Sequence, residues 1–187
     1  MAQVKKICKA ILLLLFVSRI EPTTLDFRVA GFIPSSSLFR EIYKTVNPSY
    51  QIELSHSAKD CFEVWSNISY TSASGKSVPF GIKCRLNLIP VSVGLKCVHY
   101  LTNCWDAYIG AGPSFTWLKE KNTQCLSNQG HGIGGIFKLG ATKSYKRARF
   151  LLFSEYQIQH VKIKNPIQSK KINVSGFLFG GAIGVYF

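Results

Sequence analysis

Beyond residue 24, bulky apolar residues alternate with small or polar ones along almost the whole chain. The clearest stretch is Trp105 to Leu118. One parity there holds Trp105, Ala107, Ile109, Ala111, Pro113, Phe115 and Trp117, and the other Asp106, Tyr108, Gly110, Gly112, Ser114, Thr116 and Leu118. A period of two over so long a stretch predicts a strand with one greasy and one polar face. The same alternation predicts strands over Leu25–Pro34, Ser49–His56, Cys61–Thr71, Leu88–Cys97, Gly132–Thr142, Ala148–Ile158 and Gly176–Phe187. In the last of these, Phe187, Val185, Ile183, Phe179 and Phe177 oppose Gly184, Ala182 and Gly180.

Eight consecutive strands with local links point to an antiparallel up-and-down meander. Closing it into a barrel removes the unpaired edges. The links alternate in length. "SAKD", "LTNC" and "SYKR" are short, whereas Ser35–Pro48, Ser72–Ile82, Lys119–His131 and Lys162–Lys171 are long. Short turns on one rim and long loops on the other is the asymmetry of a transmembrane barrel.

Alternation alone does not say which face is inside. A soluble ligand-binding barrel of the lipocalin kind turns its apolar face inward, and a membrane barrel turns it out. Three features favour the membrane. The polar face is rich in glycine, alanine and serine, which suits the narrow interior of an eight-stranded barrel. Its charges are of both signs, Arg28, Glu53, Glu63, Lys96, Asp106, Lys138, Arg149 and Glu155, as a dry lumen requires for pairing. Tyr50, Tyr70, Trp105 and Trp117 mark strand ends on the apolar face, and Trp105 to Trp117 spans roughly 30 Å along the membrane normal at ~40° tilt, a girdle-to-girdle distance. The expected fold is therefore an all-β, eight-stranded antiparallel up-and-down transmembrane β-barrel.

Composition adds an address. The chain of 187 residues suits one domain, with the barrel over residues 25–187. Its body holds no apolar run long enough for a membrane-spanning helix. Residues 1–20, "MAQVKKICKAILLLLFVSRI", carry four cations, no acid and a short apolar run, the layout of a signal peptide cleaved between residues 18 and 24. Cys8 leaves with it. Cys61, Cys84, Cys97, Cys104 and Cys125 remain, an odd number with no metal-ligand spacing, and neither metal nor cofactor is expected. The topology puts Cys84 and Cys125 at the long-loop rim, where they are expected to pair. It puts Cys61, Cys97 and Cys104 at the other rim, where two are expected to pair and the third is left to cross-link to a neighbour.

Of the net charge of +14, much lies in the long loops: Lys76, Lys83, Lys119, Lys121, Lys162, Lys164, Lys170 and Lys171. Such a rim suits phosphate-bearing partners at a membrane surface. Export argues against nucleic acid. A catalytic site at the outer rim would need a His beside a Ser or an acid. "SHS" at Ser55–Ser57 falls by a short turn, as does His99, and His131 and His160 have no serine at a matching spacing. A catalytic barrel is thus the lesser alternative, beside a soluble ligand-binding barrel.

In "FRVAGFIPSSSLFREIY", "LIPVSVGLKC", "DAYIGAGPSFTW" and the terminal "GFLFGGAIGVYF", the chain resembles the small eight-stranded outer-membrane β-barrel proteins of Gram-negative bacteria. The resemblance implies an outer-membrane location with both termini in the periplasm, contact with lipid and lipopolysaccharide, and a structural or surface-binding role without catalysis; since some such barrels modify lipid A, it sets a lipid A-modifying enzyme as the alternative. It also implies that Phe187, Val185 and Ile183 are read by the barrel assembly machinery. The cysteine content resembles the cysteine-rich envelopes of the chlamydial kind.

Overall fold

A computed structural model describes residues 23–76, 81–122, 127–164 and 169–187 of the chain. The expected signal peptide and Cys125 lie outside the described residues. The strands are β1 (Thr23–Pro34), β2 (Asn47–Lys59), β3 (Phe62–Lys76), β4 (Lys83–Tyr100), β5 (Trp105–Asn122), β6 (Ser127–Tyr145), β7 (Ala148–Lys164), β8 (Ser169–Asn173) and β9 (Gly176–Tyr186). Each pairs antiparallel with its neighbours. β9 lies between β7 and β1, with Phe27 opposite Ile183 and Ile33 opposite Phe177, so the sheet closes. β8 and β9 form one eighth stave against β7, interrupted at Val174 and Ser175, which are both buried. There the Gln159 amide donates to the Ser175 hydroxyl at 2.9 Å and the Val174 amide to the Gln159 carbonyl at 3.0 Å. The backbone groups that the break frees are thereby satisfied.

The strands run further toward the long-loop rim than the alternation predicts. β5 and β6 stay paired as far as Lys121 opposite Ser127, inside the expected loop Lys119–His131. Past Leu118 on β5 and Gly132 on β6 both parities are polar or glycine, so the period-two signal fades there while the backbone ladder continues. The first long loop also holds an unexpected helix, α1 (Ser37–Ile42), whose start is capped by the Ser36 hydroxyl accepting from the Phe39 amide. At the short-turn rim, Asp60 and Lys146 sit at the tips with left-handed φ of 51° and 54°.

Burial is inverted relative to a soluble protein. Ile133, Leu152 and Ile109 are 74, 71 and 68 % exposed, while Glu53 and Arg28 are 0 and 1 % exposed. This excludes the soluble lipocalin-like alternative, because an outward band of Phe, Ile, Leu and Val needs lipid around it.

Candidate functional site

The lumen is built by the inward parity of every strand. At mid-height Glu53 of β2 is the centre. Its carboxylate meets the Arg28 guanidinium at 2.6 Å, the Lys138 ammonium at 2.5 Å and the Lys96 ammonium at 3.5 Å. Glu155 joins Arg28 at 2.6 Å and Lys138 at 3.4 Å, and Lys96 reaches Glu63 at 3.0 Å. Aromatic faces complete the shell. Arg28 lies 3.8 Å above the Phe153 ring and Lys138 3.5 Å above Trp65, while Arg28 donates to the Tyr108 hydroxyl at 3.0 Å. Small residues make room for these rings. A Cβ at Gly94 would stand 2.6 Å from the Trp65 ring and 2.3 Å from the Ala111 carbonyl.

Toward the short turns, Arg149 pairs at 2.9 Å with Asp26, an acid of the inward parity that the sequence reading left out of the charge network. Its inward parity was the signal that could have placed it there. Asp106 forms no ion pair with a described residue. It lines a cavity of about 120 Å³ together with Glu63, Lys96, Arg149, Thr24 and Tyr186. Toward the long loops the lumen turns neutral and then apolar. Ser92, Ser114, Gln159 and Thr116 form a hydrogen-bonded chain. Above it, Phe39 and Tyr43 of the α1 segment pack with Phe32, Ala73, Cys84, Leu86, Leu118, Val161 and Leu178. Tyr43 donates to the Glu120 carboxylate at 2.9 Å. Burial, reinforced by that carboxylate, holds its phenol well above the ordinary range. The backbone passes so close that a Cβ at Gly75 would overlap the Ile42 carbonyl at 1.8 Å.

The outward face of the long-loop rim is cationic. One outward step above Trp117 is Lys119, and the next is Lys121. On β4 the steps above Ile89 are Asn87, Arg85 and Lys83, and on β7 those above Ile158 are His160 and Lys162. Register sets Arg85 opposite Lys121, Lys76 opposite Lys83 and Lys162 opposite Lys171. Lys164 and Lys170 lie in the paired ends of β7 and β8.

The histidines are dispersed. Ser55 is buried, its hydroxyl 2.8 Å from the Lys96 ammonium, while His56 faces outward and meets the Thr23 hydroxyl at 3.1 Å, so "SHS" is divided between two faces. His131 stacks on Phe115, with ring centroids 6.1 Å apart. At the short-turn end the Cys61 and Cys97 sulfurs are 3.5 Å apart, and Cys104 is exposed on the next turn. Cys84 is buried in the apolar cap; its expected pairing with Cys125 lies outside the described residues. Phe187, Val185 and Ile183 share the outward face of the closing stave and its end, and the Phe187 amide donates to the Thr23 carbonyl at 2.9 Å.

A closed eight-stave barrel with buried charges and an apolar exterior has the fold of the outer-membrane β-barrels. No family model and no curated protein sequence matches the chain. Solved structures do. Neisserial surface protein A superposes with a TM-score of 0.61 over 88 % of this chain and 97 % of its own, at 16 % identity. Ail, the attachment invasion locus protein of Yersinia pestis, in complex with the heparin analogue sucrose octasulfate, gives 0.60 over 90 % of this chain and 100 % of its own, at 11 % identity. The outer membrane protein AlkL gives 0.59 over 91 and 93 %, at 12 % identity. At these identities the likeness is one of fold.

Proposed function

We propose that this protein is a non-catalytic barrel of the Gram-negative outer membrane that binds lipopolysaccharide phosphates through its cationic long-loop rim. Both termini and the short turns face the periplasm. The supporting observation is the segregation of charge. Of the nine acids, Asp26, Glu53 and Glu155 are buried in the lumen, and Glu63, Asp106 and Glu120 belong to its inward parity. Among the described residues, the outward band above the girdle on β3 to β7 carries no acid; Lys76, Lys83, Arg85, Lys119, Lys121 and Lys162 stand there with two histidines among neutral polar residues. Like charges directly opposite each other, as Arg85 and Lys121 are, destabilise a sheet unless anions intervene. Their height, just above Trp117 and Tyr70, is that of lipid headgroup phosphates. Ail, crystallised with a sulfated polyanion, lends the fold-level support of a polyanion-bound relative in shape.

The lumen acts as filling and not as a conducting pore, its paired charges holding the staves together beneath the α1 cap. Phe187, Val185 and Ile183 serve as the assembly signal.

Binding of lipopolysaccharide to the barrel refolded in detergent tests this reading. At about 1 kcal/mol per cation near an anionic surface, Arg85→Gln, Lys119→Gln, Lys121→Gln and Lys162→Gln combined weaken binding by roughly a thousandfold. Phosphatase-treated lipopolysaccharide reproduces that loss in the unmutated protein. Equal binding to the phosphorylated and dephosphorylated forms refutes it. Altered lipid A acylation on expression, read by mass spectrometry, would favour the enzyme instead.

A further inference from the structure

We infer that Cys61 and Cys97 form a disulfide that locks the register of the β3–β4 hairpin at the short-turn rim. Phe62 is the register partner of Cys97, and the Val98 amide donates to the Cys61 carbonyl at 2.7 Å, so the two cysteines lie on adjacent rungs. In an undisturbed pleat these rungs would send the sulfurs to opposite faces. Cys61 instead closes the turn begun by left-handed Asp60, and its sulfur comes to 3.5 Å from that of Cys97. Both thiols are half-buried, within reach of an oxidant.

No other described cysteine competes equally. Cys84 lies thirteen residues before Cys97 on the same strand, ~43 Å away along it at ~3.3 Å per residue. Cys104 belongs to the next turn, where its carbonyl accepts from the Ser144 amide, and it remains the exposed thiol of this rim.

The chemistry is a thiol–disulfide exchange. The two thiols give up two protons and two electrons as the sulfur–sulfur bond forms, and a disulfide oxidant takes them up as it is reduced to two thiols. In the cell that oxidant is a protein disulfide of the thiol-oxidase class, which the exported location proposed above supplies. The ring so closed contains β3, the long loop and β4. A two-residue slip of β4 along β3 would carry Cys97 ~7 Å from its place. The bond therefore forms only in the native register and holds it while the remaining strands assemble.

The chain refolded in detergent in a mixed glutathione buffer, alkylated without reduction and digested with trypsin and chymotrypsin, tests this. Chymotrypsin cuts after Tyr100 and so separates Cys97 from Cys104. The expected product links the Cys61 and Cys97 peptides, two hydrogens lighter than their sum, in the unmutated chain and in Cys104→Ala, and is lost in Cys97→Ser. Alkylation of both Cys61 and Cys97, or a Cys61–Cys104 link, in protein that migrates as a folded barrel overturns the inference. Cold against boiled gel migration of the same sample scores the membrane-barrel reading separately.

Discussion

Glu53→Gln is the sharpest perturbation of the lumen. The carboxylate is fully buried and touches three cations, Arg28 at 2.6 Å, Lys138 at 2.5 Å and Lys96 at 3.5 Å. Its neutral isostere keeps the volume and leaves those three cations with only Glu155 and the partly exposed Glu63. Removing one partner of a buried pair costs about 3–5 kcal/mol, because a charge is left without compensation in a low dielectric. Glu53 serves more than one partner, so the upper end of that range applies. Urea unfolding of the barrel in lipid vesicles, followed by tryptophan fluorescence, reads the loss directly. Trp65 sits against Lys138 and reports from inside the cluster. The compensating double variant Glu53→Gln with Lys138→Met removes one charge of each sign. Replacing a buried pair by apolar groups is often neutral, so the double variant regains more than half of the lost stability. A Glu53→Gln cost below about 1 kcal/mol, or a double variant no better than the sum of the singles, refutes the reasoning.

Two further perturbations follow from close packing. Gly94→Ala sets a methyl group 2.3 Å from the Ala111 carbonyl and 2.6 Å from Trp65, so it costs about 1–3 kcal/mol. It lowers the fraction of protein that migrates as a folded barrel before boiling; an unchanged fraction and unfolding midpoint would contradict it. Phe39→Ala removes the ring wedged between Phe32 and Tyr43 and costs about 3–5 kcal/mol. Because that ring helps cover Cys84, a soluble thiol reagent labels Cys84 at least tenfold faster in the variant, measured in a Cys84-only background; equal rates would show that α1 is not the cover.

How much was legible depends on the kind of interaction. Parity is a local property of an extended backbone, so the inward set of Arg28, Glu53, Lys96, Lys138, Arg149 and Glu155 could be read before any fold was known. The outward aromatic girdle could be read the same way. Strand ends could not, because past Leu118 on β5 and on the facing end of β6 both parities are polar or glycine, and the ladder is held by backbone hydrogen bonds that no side-chain pattern announces. The short α1 helix was equally hidden: six residues in a long loop carry too little periodicity, and only the buried contacts of Phe39 and Tyr43 hold it.

The sequence by itself determined the barrel, its strand count and which side chains face lipid: alternation and spacing give the strands, and the small residues and mixed charges of one face with the terminal aromatics of the other give the side that faces out. Tertiary structure decided who meets whom. Glu53 collects three cations from β1, β4 and β6, and Asp26 takes Arg149 from 123 residues away, while Asp106, on the same inward parity, lines a cavity instead. Those choices depend on the stagger at which the sheet closes, and stagger is a property of the whole ring of strands, absent from any one of them.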